Sequence, residues 1–330
     1  MGKLRFGMIG TGNISQWHGR QLLELDGEVE LAALADPDEG GRERFIGKFS
    51  LGGITAYDDY RDMLEAEELD AVVICSPHTL HYRQASDAMK AGCHVLVEKP
   101  MTCSSREAEA LLDVARETGK LLQVSYQRHF QPSFRYIRDA IRDGLIGRLT
   151  SVTASLYQDW RQLTVGTWRV DPRLSGGGML MDSGSHIADV LLWTTGLTPA
   201  EVKPVMHRQG SPVEIDSFTA IRFEEGPVAG LNIVGHAPCW HETYVFCGEE
   251  GGLFYDNGRI TVRKPGEDPF VPELPEATTN QAKSFVDAIR GRQDVAVPGE
   301  FALRVVRLTE MIYEAAGCEP LREAEGERAE

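Results

Sequence analysis

An apolar run at residues 4–9 breaks directly into Gly10-Thr11-Gly12-Asn13-Ile14-Ser15, after which the pattern becomes helical. Glycine permits a sharp strand-to-helix turn and lets the backbone approach a pyrophosphate. The phosphates then meet free N–H groups and the positive end of the helix dipole. Ser15 stands where such turns carry a third glycine, a small-for-small change compatible with close helix–strand packing. Further apolar runs follow at 29–35, 54–57, 71–75, 95–97 and 121–125. They are nearly continuous in apolar content, as strands covered on both faces require. Helical patterns lie between them, such as 105–118 with Gly119 as its stop. This alternation predicts an α/β fold whose first domain, residues 1–125, is a Rossmann doubly wound parallel sheet.

The second run ends Leu34-Ala35-Asp36, where a carboxylate can accept both ribose hydroxyls of adenosine. Asp36 and Asp38 together oppose a 2′-phosphate, and no basic residue intervenes before Arg42, so NAD is expected rather than NADP. Gly10, Gly12, Asn13, Ile14 and Asp36 are the expected cofactor contacts. Ser76-Pro77 sits at the carboxyl end of the fourth run, where ligands of such sheets bind. His81, one helical turn on, either reaches a phosphate or nicotinamide ribose or lies on the helix surface.

From residue 126 onward the pattern changes. A helix is expected at 133–142, a strand at 149–157, then a Gly-rich stretch and a helix at about 182–195. Period-two alternation from 201 to 262, broken by Gly-Pro, Glu-Glu-Gly and Asn-Gly turns, reads as an open, mainly antiparallel sheet. Helices at 281–290 and 300–316 close the pattern, and these last helices could pack back on the first domain. The second domain, 126–330, is thus expected to be α/β and to bind substrate. An acidic tail around Glu323, Glu325 and Glu327 has little to bury and is expected to fray.

Two places carry chemistry. Val97-Glu98-Lys99-Pro100 sets a charged pair at the end of a buried strand. A lysine held there can donate to a substrate hydroxyl and stabilise alkoxide character as hydride leaves. The second is Asp182-Ser183-Gly184-Ser185-His186, followed by Asp189. On one helix, Asp182, His186 and Asp189 would share a face. His186 has the right intrinsic pKa to take an alcohol proton, and Asp182 could orient that hydroxyl and stabilise the imidazolium. Taken alone, Asp182 reads equally as a helix cap and His186 as a core histidine.

These residues resemble the Gfo/Idh/MocA family, the relatives of glucose–fructose oxidoreductase and inositol dehydrogenase. The likeness runs through the glycine turn, Asp36, Ser76-Pro77 with His81, the stretch from Gly92 to Pro100, Tyr126-Gln127-Arg128, Trp168-Arg169 and the Asp182/His186 segment. The resemblance implies a Rossmann domain followed by an α/β domain whose open sheet builds homodimers or homotetramers. It implies that Lys99, Asp182 and His186 act together with His186 as base, and that the Lys99–Pro100 bond is cis. It places Glu98, Lys99, Gln127, Trp168 and Arg169 at the cofactor, and Lys99, Arg128, Trp168, Asp182 and His186 at the substrate. The activity implied is NAD-dependent hydride transfer at a secondary alcohol of a sugar, sugar derivative or cyclitol. Two other classes remain: a redox-neutral enzyme that retains its NAD, of the aldose–aldose oxidoreductase or NAD-dependent glycosidase type, and a non-catalytic NAD-binding regulator. Retention of Lys99, Asp182 and His186 speaks against the regulator.

A net charge of −16 repels phosphate backbones and anionic membrane surfaces, so neither nucleic acid nor membrane is an expected partner. No apolar run approaches the roughly 20 residues of a membrane span. Six cysteines without C-x-x-C spacing are expected as reduced cytoplasmic thiols. No metal is expected, because His78, His81, Cys93 and His94 match no zinc spacing. Ser183 and Ser185 lack the Gly-x-Ser-x-Gly elbow of a hydrolase nucleophile. Trp160, Trp168 and Trp240 could stack on sugar faces or fill cores.

Overall fold

In a computed structural model, which describes residues 2–318, the chain forms two compact units. Of the described residues, the first comprises those up to Gln127 with Thr278–Leu303, and the second Arg128–Ala277 with those from Arg304 to Cys318. The acidic tail lies outside the described residues.

The first unit is built on six parallel strands: β1 (Leu4–Ile9), β2 (Val29–Ala35), β3 (Thr55–Tyr57), β4 (Ala71–Ile74), β5 (His94–Val97) and β6 (Leu122–Val124). Their order, β3-β2-β1-β4-β5-β6, is that of a doubly wound nucleotide-binding sheet, with its crevice where β1 meets β4. β4 is buried along its whole length, which explains why its sequence is apolar without alternation. The helix Ser105–Thr118 begins where the Ser104 hydroxyl accepts from Glu107 N–H and stops at Gly119 in the left-handed conformation. Phe6, Met8, Leu34, Phe45, Val73 and Leu96 form the core, and the helix Gln281–Ile289 adds Ala282, Phe285 and Val286 to it. Phe285 meets Phe6 edge to face at 6.2 Å.

The second unit carries seven strands: β7 (Leu149–Tyr157), β8 (Pro199–His207), β9 (Asp216–Phe223), β10 (Val228–Val234), β11 (His241–Gly248), β12 (Gly252–Asp256) and β13 (Arg259–Arg263). Their order is β13-β12-β11-β7-β10-β9-β8. All pairs are antiparallel except β7 with β10, which run parallel from Ser151↔Val228 to Tyr157↔Val234. Alternation along β9 buries Thr219, Ile221 and Phe223 and exposes Phe218, Ala220 and Arg222. The helices Pro132–Arg142 and Gly184–Thr195 pack against each other, and the second also packs on β7 and β10.

One sequence expectation needs correcting. Asp182, His186 and Asp189 do not share one helix, because the helix starts at Gly184 and Asp182 lies in the turn before it. Gly184 N–H reaches back five residues to the Met179 carbonyl (2.7 Å), a wider loop than the α-helical bond.

Candidate active site

The first unit's chemistry collects at the carboxyl ends of β1, β2, β4 and β5. Gly10 has φ +88°, and a Cβ there would lie 2.8 Å from the Cys75 carbonyl carbon and the Ser76 nitrogen. Only glycine lets β1 leave the sheet against the end of β4. Gly12 differs: a Cβ there would meet no protein atom within 4 Å, so the turn faces open space at the start of the helix Ser15–Leu23. The Ser15 hydroxyl donates to the Gly12 carbonyl (2.6 Å), which accounts for serine at the third position. The first turn of a helix lacks intrahelical acceptors for its N–H groups, and Gly12, Asn13 and Ile14 lie at such a helix start, the kind of place that suits a phosphate.

At the end of β2, Asp36 Oδ2 accepts from Thr11 N–H (2.6 Å) and the Thr11 hydroxyl (3.1 Å), and Oδ1 accepts from Asp38 N–H (2.8 Å). A carboxylate has about four acceptor positions, so room remains for ribose hydroxyls. Arg42 donates to the Asp36 carbonyl and pairs with Asp58 (2.6 Å). The helix start and the acceptor at Asp36 fit NAD.

Ser76 donates to Gln84, and Pro77 opens the short helical turn His78–Leu80. His81 is not at the helix surface. It is buried, with Nδ1 at 2.7 Å from the Pro100 carbonyl and Nε2 at 3.0 Å from the Ser76 carbonyl. Burial, reinforced by His78, pushes its pKa down to about 4 against the pull of the two carbonyls. It therefore ties the Ser76-Pro77 loop to the turn at Lys99–Pro100, whose peptide bond is cis. Glu98 is buried at the end of β5 and accepts from the Ser125 hydroxyl (2.7 Å) and Lys99 N–H (3.1 Å), with His18 Nε2 at 2.7 Å. Burial alone would raise its pKa, but the His18 contact, Lys99 and Ser125 outweigh it and hold the carboxyl below its ordinary value. Gln281 donates to Ser125 (2.9 Å) and extends the network to the returning segment. His18 and Gln281 escaped the sequence reading because their partners lie far along the chain. Gln127 opens the turn Gln127–Phe130.

In the second unit, Asp182 Oδ2 accepts from Trp160 Nε1–H (2.8 Å) and Arg169 Nε–H (2.9 Å). The Arg169 guanidinium also lies 4.5 Å over the Trp168 ring, so Trp160, Trp168, Arg169 and Asp182 form one assembly. Trp160 is thus an Asp182 ligand rather than a sugar platform. His186 is half-buried on the first turn of its helix.

Two residues are paired with partners far along the chain. The Arg128 guanidinium is buried and paired with Glu242 (Nε 3.0 Å, Nη2 2.8 Å), which also accepts from the Tyr244 hydroxyl (2.9 Å). Asp189 is spent on His129 Nε2 (2.7 Å), whose ring stacks on Trp193 at 3.9 Å. Burial pushes the Asp189 carboxyl up against the attraction of His129 and Arg128. A further acid, Glu214, lies buried against the Gly-rich stretch. Its one sequence signal was a carboxylate flanked by the apolar Val213 and Ile215.

No described helix is long and apolar enough to cross a membrane. Similarity to known proteins covers both units. The chain is 30% identical to the rhizopine catabolism protein MocA of Rhizobium meliloti over 99% of each sequence, and 26% identical to the inositol 2-dehydrogenase of the same species over 93% of this chain and 95% of that one. The WlbA dehydrogenase of Bordetella pertussis, solved with NADH and UDP-GlcNAcA, shares the fold with a TM-score of 0.85 at 24% identity, over 96% of each chain. Residues 4–126 match the family model described as an oxidoreductase family with an NAD-binding Rossmann fold, and residues 134–254 match the Gfo/Idh/MocA C-terminal domain. A glycine turn on a six-stranded parallel sheet, followed by this second sheet, with the family's models matching both and 30% identity to MocA along the chain, makes the chain a member of the Gfo/Idh/MocA family of NAD-binding oxidoreductases.

Proposed function

We propose that the chain is a dehydrogenase that oxidises a secondary hydroxyl of a sugar, sugar derivative or cyclitol, with Lys99, Asp182 and His186 as its catalytic residues. The observation that carries the reading is Asp182, held by Trp160 and Arg169 in the turn that feeds His186. When bound, NAD supplies the acceptor for the hydrogen on the oxidised carbon. His186 takes the hydroxyl proton at an imidazole nitrogen. Asp182, anchored by Trp160 and Arg169, orients the hydroxyl and favours the imidazolium that forms. Lys99 steadies the developing oxyanion with its ammonium group. The buried Glu98, fixed by His18 and Ser125 and accepting from Lys99 N–H, sets the backbone from which that ammonium extends.

Sugar and cyclitol relatives among the similar proteins support the substrate class. Val205, Phe218 and Val228, exposed on β8, β9 and β10, support a homodimer or homotetramer formed through the sheet. Six free cysteines support action in the cytoplasm.

The test is reduced-nicotinamide absorbance across a panel of sugars, inositols and their keto forms, with His186→Ala beside the unaltered chain. Loss of a general base should lower turnover on the order of 10² to 10⁴-fold. Near-normal turnover by the variant across the pH range would overturn the assignment.

A further inference from the structure

The Gly-rich stretch before Asp182 is shaped by a buried carboxylate that no step above uses. Glu214 precedes β9, and both of its carboxylate oxygens lie 2.9 Å from Gly178 N–H. Oε1 also accepts from Leu180 N–H (3.1 Å) and from the Tyr313 hydroxyl (2.7 Å), which comes from the helix Gly299–Ala315. The Glu214 carbonyl accepts from Met179 N–H (3.1 Å). One acid therefore binds three consecutive residues of the turn, Gly178 to Leu180, and is itself gripped by a phenol.

The fit leaves no slack. A Cβ on Gly178 would lie 1.9 Å from the Glu214 carbonyl oxygen, and one on Gly177 would lie 2.3 Å from the Tyr313 hydroxyl. The glycines are there so that the backbone can wrap the Glu214–Tyr313 pair. Asp182 N–H bonds to the Gly178 carbonyl (3.0 Å), and Gly184 N–H to the Met179 carbonyl (2.7 Å). The first bond sets Asp182 and the second sets the helix start that carries His186. Both lean on residues whose own N–H groups are held by Glu214.

We infer that Glu214 and Tyr313 are positioning residues that template the turn from Gly178 to Met181 and thereby fix Asp182 and His186. The inference rests on the reading of Asp182 and His186 as catalytic, and deepens it. Burying a carboxylate is costly unless its acceptor positions are filled, and here three donors fill them, Gly178 N–H reaching both oxygens. Burial still pushes Glu214 above its ordinary pKa, against Tyr313 and the backbone N–H groups.

The test uses Glu214→Gln and Tyr313→Phe in the full chain. Glu214→Gln replaces one acceptor with an NH₂ that must face an N–H donor, and Tyr313→Phe removes one donor of the three. Two measurements separate positioning from simple destabilisation. One is the indole ¹⁵N–¹H resonance of Trp160, identified by Trp160→Phe, which senses Asp182 Oδ2 directly. The other is kcat on the panel compound that turns over, set beside NADH affinity. Glu214→Gln should displace the Trp160 resonance and lower kcat about 10 to 100-fold, the scale of a misplacement near 1 Å, with NADH affinity unchanged. If Glu214→Gln does not fold, Tyr313→Phe carries the test with a smaller effect in the same direction. An unmoved Trp160 resonance and an unchanged kcat in the folded variant would overturn the inference. His186→Ala judges the catalytic reading separately: an active His186→Ala sinks that reading, whereas an inactive one beside normal Glu214 and Tyr313 variants sinks only the templating role.

Discussion

Acidification should weaken the first unit through His81, and by a calculable amount. In the unfolded chain an imidazole titrates near its ordinary value of 6.5; in the folded chain burial brings His81 down to about 4. Between those values the unfolded state holds a proton that the folded state does not, so stability falls as pH falls across that window and is unaffected above it. From neutral pH to about 5.5 the loss is about 1.4 kcal/mol, approaching about 3 kcal/mol near pH 4. The carbonyls of Pro100 and Ser76 make the outcome informative, because a neutral ring has one N–H and can donate to only one of them. The assay is urea unfolding of the chain and of His81→Gln at about pH 7.5 and 5.5, scoring how much more the unaltered chain loses. The variant forfeits the ring's hydrogen bonds at both pH values, so that constant cost cancels in the comparison. An excess near 1.4 kcal/mol agrees with a buried neutral ring. Equal losses would refute it. A smaller loss in the unaltered chain would mean that the two carbonyls hold the ring as an imidazolium, reversing the sign.

Two further outcomes follow from the same unit. Asp36→Ala removes the acceptor facing Thr11 and the ribose, and should weaken NADH binding about 10 to 100-fold, on the scale of 1.5–3 kcal/mol for a bond to a charged group; a change under twofold in a fluorescence titration would contradict the site. Phe285→Ala empties a buried place against Phe6 and should cost about 3–5 kcal/mol in urea unfolding, with a loss under about 1 kcal/mol refuting its place in the core.

What the sequence conveyed and what it withheld divide along the reach of each interaction. The six parallel strands were legible within a residue or two because burial on both faces leaves its mark locally, residue by residue. The helix Ser105–Thr118 was legible because its cap and its glycine stop are adjacent to it. The parallel pairing of β7 with β10 was not, since alternation records which face is covered but not the direction of the neighbour. Nor was the fate of His81, Arg128 or Asp189. His81 meets Pro100 19 residues away, and Arg128 meets Glu242 114 residues away. No local spacing encodes such partners. Asp182 was misplaced for a different reason: a helical period in sequence extends smoothly into a wide turn, and only the bond from Gly184 to Met179 marks where the helix begins.

The first unit closes over a segment that the ribosome delivers only after most of the second. Ala282, Phe285 and Val286 complete its core, and Gln281 completes the hydrogen bonding of Ser125 beside Glu98. A polypeptide halted at Gln127 would hold every strand of the parallel sheet yet leave Phe6 without its aromatic neighbour. Synthesis must therefore carry the nascent cofactor domain, unfinished and with apolar surface bare, through some 150 intervening residues, a span in which chaperone protection would matter most.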